Sequence, residues 1–237
     1  SRFEHSLGVM HQAGVAWKKL YDNQMRLRDA SRFYSDFELR EREKQGVGVG
    51  GLLSPTFQII DKLFSSDYII QALRLAALLH DIGHPPFSHS GERFLPLISD
   101  IIKSNTALPL YITKYLEKES LRKGKDVRAT HEIYTILLVD KVMTDVYRSQ
   151  SDEDIKIDPR DVISIIEPSI KPHSSSKLLD LEAHRVCNEL VSGEVDIDRM
   201  DYLLRDSREC GVVYGLFDVD RIMDTLALYY DTSGNRF

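Results

Sequence analysis

The segment that most constrains this chain is a run of apolar residues that ends in imidazoles and a carboxylate. From Ile59 to His80 the apolar positions become so dense, closing on Leu73, Leu75, Ala76, Ala77, Leu78 and Leu79, that a helix here has to be largely buried. The run then continues as LLHDIGHPPFSH (78–89), which puts His80 and Asp81 at the end of a buried helix with His84 and His89 close behind. Gly83 permits a turn, and Pro85-Pro86 forbids simple continuation of the helix. Charged and imidazole groups are expensive to bury unless something pairs with them, and a divalent cation is one such partner. Neutral imidazole and carboxylate are both good ligands for Mn, Fe, Zn, Ni or Mg ions, and adjacent His-Asp supplies one of each. A plainer reading is a hydrogen-bonded helix end with Gly83 as its cap.

The rest of the chain reads as helical. Helices are expected over about 5–28, 59–80, 92–103, 108–120, 131–147, 159–167, 178–191, 196–208 and 218–230. No strand-period run stands out, so the fold class is mainly α, with room for a minor β-hairpin near 46–54 or at the end. The charge-dense stretch after Arg26, with GVGVGG at 46–51, reads as a flexible insertion over about 26–58. It lacks both phosphate-loop spacing and the Lys-Ser/Thr ending of such a loop. SQSDEDIKID (149–158), KPHSSSK (171–177) and Lys123-Gly124-Lys125 read as surface connections. One domain covering 1–237 is the expectation.

Composition narrows the function classes. With 37 acidic against 31 basic residues and a net charge of −6, the surface is not built to neutralise a nucleic-acid backbone, whereas a small anionic substrate needs only a local cluster. An apolar fraction of 42% with 29% charged residues is that of a soluble globular protein. No apolar run is long enough for a membrane span, and the two cysteines, Cys187 and Cys210, fit a reducing compartment, so the cytoplasm is expected, with the nucleus as the alternative.

Two further segments join the first. RFEHSLGV (2–9) brings His5 to the head of a helix, and VDIDRMDYLLRD (195–206) places acids at close intervals on another. Together with LLHDIGHPPFSH and the THE triplet at 130–132, they resemble, in order, the HD superfamily and within it the deoxynucleoside triphosphate triphosphohydrolase branch, which includes dGTPase-like enzymes. The resemblance implies an HD-type helical fold and a divalent metal held by His5, His80, Asp81 and Asp198, with Asp196 and Asp201 as competing choices for the last ligand. Asp201, three residues after Asp198 on a helix, would otherwise support the site from behind.

The same resemblance makes His84 and His131 the catalytic histidines, with Glu132 orienting one of them. It brings Arg2, His89 and Arg199 to the phosphates, Tyr202 to the sugar and Asp206 to a ribose hydroxyl. Plainer readings stand beside these: His131 as a helix cap, His84 packed in its turn, Glu132 as a first-turn acid, Arg2 in a surface salt bridge, Tyr202 in the core, and Asp206 paired with Arg205 or Arg208. His11, His173 and His184 read as structural or surface residues. The implied reaction releases a deoxynucleoside and intact triphosphate, and relatives of this kind assemble as homo-oligomers. They also carry segments before RFEH and beyond Phe237, so a longer parent chain is expected. Rival readings are an HD phosphohydrolase of monophosphates or cyclic nucleotides, though the HD-GYP signature is missing, and a regulatory protein that binds nucleotide without turning it over.

Overall fold

The computed structural model describes residues 1–31, 61–124, 127–151, 156–179, 182–213 and 215–228, together with positions 35, 38 and 41. Among them the chain is helical, and the only β-type pairing is an isolated bridge between Leu97 and Arg128. The hairpin considered near 46–54 or at the C-terminus lies outside the described residues, as does most of the expected insertion. Where the insertion was to begin, the chain instead continues as helix: α1 spans Arg2–Ser31, because residues 26–31 hold no glycine or proline to stop it.

A helical turn at 61–64 is separated by extended Ser66 from α2, Asp67–Leu79, so the long apolar helix is interrupted near its start. Ile69, Ala72, Leu73, Ala76 and Ala77 of α2 are buried. After the turn at 80–84 comes a 3₁₀ helix, Ser88–Phe94, then α3, Ile98–Ser104. A single helix over 92–103 was the expectation. Pro96 divides it, since the residue before a proline is pushed to extended backbone, and Leu95 sits at φ −67° and ψ 149°. The Pro96 carbonyl instead accepts the Ala129 N–H.

The chain goes on through α4 (Leu110–Lys123), α5 (His131–Ser149), α6 (Pro159–Ile166), α7 (Ala183–Ser192), α8 (Ile197–Cys210) and α9 (Val219–Thr225). α7 starts later than expected because Glu182 adopts a left-handed conformation that no helix can include, and α9 stops at Leu226, where ψ turns to 133°. α1 lies against α2, α8 and α9, while α6 packs between α2, α5 and α7. Leu73, Ile133, Ile136, Ile163, Ile165, Leu178 and Ile197 are almost completely buried in the shared core. Each such side chain contributes about 1.5–3 kcal/mol relative to exposure. The core thus fixes the end of α2 and the starts of α1, α5 and α8, and the polar motifs sit at these points. No described helix is long and apolar enough to cross a membrane.

Candidate metal centre and catalytic cavity

The end of α2 presents His80 in a fixed orientation. Its Nδ1 donates to the Ala77 carbonyl at 2.8 Å, which turns Nε2 away from the helix as a buried atom without a hydrogen-bond partner. His5, near the start of α1, brings its Nε2 to 3.0 Å from Asp198 Oδ1. The same Asp198 oxygen is 3.4 Å from His80 Nε2. Donor atoms of His5, His80 and Asp198 therefore lie within 4.8 Å of one another.

Asp196 does not compete for that position. It caps α8 by accepting the Arg199 N–H at 2.7 Å. Asp201 stands behind His5, whose Nδ1–H donates to it at 2.8 Å. Asp81 flanks the group, with Oδ1 3.5 Å from Nε2 of both His80 and His84. Its other oxygen accepts from Arg2 at 2.9 Å.

These donors fit a divalent cation. An orphaned, buried imidazole nitrogen converges with a second imidazole and a carboxylate oxygen, and each histidine has its other nitrogen committed to an acceptor, the usual arrangement behind metal-ligating rings. Without a cation, protons take its place. Burial alone would disfavour a charged His5, but hydrogen bonds to Asp198 and Asp201 outweigh it and raise the ring to about 9. His80 is likewise raised despite burial, by Asp198 and Asp81. Asp198 is held well below the usual carboxylate range, its own desolvation overcome by both imidazoles.

Outside this group is a second one. Pro85-Pro86 leads into Phe87 and Ser88, both at left-handed φ (66° and 55°), a strained turn of the kind that clusters at functional sites. It swings Ser88 and His89 back, and Arg2 donates to Ser88 Oγ at 2.7 Å as well as to Asp81. His84 and His131 stack with centroids 3.8 Å apart, and His89 meets both rings edge-on. One oxygen of Glu92 accepts from His89 Nδ1 at 2.9 Å and from His131 Nδ1 at 2.6 Å.

Burial is the chief cause that depresses His84, to about 4, so it stays unprotonated near neutral pH. Glu92 is lowered in spite of its desolvation, through hydrogen bonds from His89 and His131, and remains charged. The donors of His84, His89, Glu92 and His131 also lie within 4.8 Å of one another. Parallel stacked rings and a shared carboxylate oxygen suit proton transfer better than a common metal.

Both groups open into a cavity of about 600 Å³, lined among others by Arg2, His5, Asp81, His84, His89, His131, Asp198, Tyr202, Arg205 and Asp206. That volume is in the range of small-molecule sites. Tyr202 is part-exposed on the wall at 39%, so it is not a core aromatic. Arg199 is not among the lining residues: its guanidinium donates to the Glu194 carbonyl at 2.8 Å and faces Asp196. Glu132 is on the exposed side of His131, 3.4 Å from Nε2, so Glu92 has the closer hold on that ring.

Glu92 was missed because, in sequence, it is one more acid in a helix. Its offset of three from His89 was the available signal.

A family model described as HD domain matches residues 68–206. The uncharacterized protein YwfO of Bacillus subtilis is 32% identical over 148 residues, 62% of this chain and 24% of that protein. The deoxynucleoside triphosphate triphosphohydrolase SAMHD1 homolog of Dictyostelium discoideum is 26% identical over 211 residues, 89% of this chain and 27% of that protein. A solved structure of a hypothetical protein from Aquifex aeolicus is 25% identical, with a TM-score of 0.39, and the match covers 80% of this chain and 42% of that one. The chain spans about a quarter of the length of the curated relatives it matches.

Proposed function

This chain belongs to the HD domain family, and on that footing we propose that it hydrolyses deoxynucleoside triphosphates to a deoxynucleoside and intact triphosphate, with residues 1–237 forming one catalytic domain. The carrying observation is the convergence of His5, His80 and Asp198 beneath a cavity walled by His84, His89, His131 and Tyr202. The reaction class is also the one printed for the Dictyostelium relative.

His5, His80, Asp198 and Asp81 would hold the cation, which when bound lowers the pKa of water and offsets phosphoryl charge. The remaining chemistry belongs to the side chains. His84, kept neutral by burial, is able to accept a proton from the attacking water. His131, held through Nδ1 by charged Glu92, is oriented to pass a proton to the departing 5′ oxygen. Arg2 offers a guanidinium at the cavity wall for phosphate oxygens, on leaving Asp81, and His89 adds a second donor. Arg199 would have to release the Glu194 carbonyl to join them. Tyr202 and Asp206 line the same cavity and would face the sugar, Asp206 accepting from a ribose hydroxyl.

The test is incubation of the protein with Mn²⁺ or Mg²⁺ and each dNTP, with products separated by chromatography beside an Asp81→Asn control. Deoxynucleoside with intact triphosphate, lost in the control, is expected. Orthophosphate from monophosphates, or a monophosphate from a cyclic nucleotide, with no dNTP consumed, would replace the proposal with another HD phosphohydrolase.

A further inference from the structure

A ring that offers Nε2 to a cation has to keep its hydrogen on Nδ1 and must not swing, and both conditions depend on what stands behind it. Behind His5 stands Asp201, 5% exposed. Asp201 is itself gripped by Arg205, one turn further along α8: Nε donates to Oδ2 at 3.0 Å and an Nη donates to Oδ1 at 3.0 Å. The same Nη donates to the Glu4 carbonyl at 3.1 Å. Arg205 therefore ties the carboxylate that orients His5 to the main chain that carries His5.

The arrangement needs α8 to approach α1 closely, and the residue of α1 at the approach is Gly8. A Cβ there would collide with Asp201 Oδ1 and press on the Arg205 guanidinium. A forked guanidinium matches two carboxylate oxygens in a way that a single ammonium cannot.

We infer that Arg205 is a positioning residue that, through Asp201, fixes His5 as a metal ligand, and that Gly8 supplies the space this clamp occupies. The inference rests on the metal reading proposed above. A purely structural role, an ion pair within α8 with a hydrogen bond to the α1 main chain, would tie the two helices without affecting the affinity of the cation.

Titration of the metal-free protein with Mn²⁺ alone, followed calorimetrically, separates the two. Arg205→Gln is expected to weaken Mn²⁺ binding, by up to the roughly ten- to a hundredfold that follows loss of a residue in direct contact with a metal ligand. Arg205→Lys, which keeps one charged donor, should fall between Gln and wild type, and Gly8→Ala should weaken binding too. Arg208→Gln, exposed on the same helix, should bind as wild type. Wild-type affinity in Arg205→Gln, or equal weakening in Arg208→Gln, would overturn the inference. If Arg205→Gln does not fold, Arg205→Lys decides: weaker binding supports the clamp and unchanged binding refutes it. Wild-type protein that takes up no Mn²⁺ would instead bring down the metal reading, and this inference with it.

Discussion

The two polar groups of the cavity are built on opposite principles. His5 and Asp198 stand on regular helices and His80 closes another; the two imidazoles are braced from behind, by Asp201 and by the Ala77 carbonyl, and draw protons, while Asp198 stays ionised. His84, His89, Glu92 and His131 stand on a strained turn, a 3₁₀ helix and the first residue of α5, and here burial leaves His84 neutral while Glu92 stays ionised. The first group suits holding a cation, and the second, with a neutral ring beside a charged carboxylate, suits giving and taking protons. On the proposed reading, the helical frame holds the cation and the rim moves protons.

The sharpest way to break this division is Asp198→Asn, which removes the charge of the carboxylate shared by His5 and His80. Bound metal should be lost on dialysis and turnover should fall to background, read by metal analysis and product chromatography. Next is Glu92→Gln, expected to lower turnover by about 10²–10⁴, the usual contribution of general acid–base catalysis, with substrate affinity changing far less.

The seam between the groups is Gly83, whose N–H donates to Thr135 Oγ1 at 3.0 Å, that hydroxyl in turn donating to the His80 carbonyl at 3.0 Å. A Cβ at Gly83 would meet α5 backbone at Thr135 and His131, so Gly83→Ala should cost about 1–3 kcal/mol in urea denaturation and disturb the spacing of both groups.

The smallest effect extends the comparison to a histidine outside both groups. His184 is fully buried with neither ring nitrogen partnered, and burial lowers its pKa. An unfolded chain takes up that proton from about pH 6.5, so the folded state loses stability as pH falls below this, by at most about 1.4 kcal/mol per pH unit, and none is lost above it. His184→Leu should flatten that part of a stability profile measured between pH 7 and 5.

Much of the frame was legible because burial and motif agreed. The apolar run into His80-Asp81 could end only in something that pairs polar groups, and α2 carries it there. The choice among Asp196, Asp198 and Asp201 was open on spacing, and the structure gives the three different surroundings: a helix cap, the donor group, and the back of His5. The rim was harder to read. Glu92 acquires its partners from residues three and thirty-nine positions away, and the second of these pairings is tertiary, with no local pattern. Arg205 looked like a partner for Asp206, whereas helical spacing of four and the Glu4 carbonyl give it to Asp201. Pro96 was the local signal for the divided helix, overridden by the apolar pattern around it.

The most direct test of the division is the metal content of Glu92→Gln and Asp198→Asn protein, purified alongside wild type and equilibrated with Mn²⁺. The account predicts that Glu92→Gln retains as much metal as wild type while Asp198→Asn retains none. Loss of metal from Glu92→Gln, or its retention by Asp198→Asn, would contradict it.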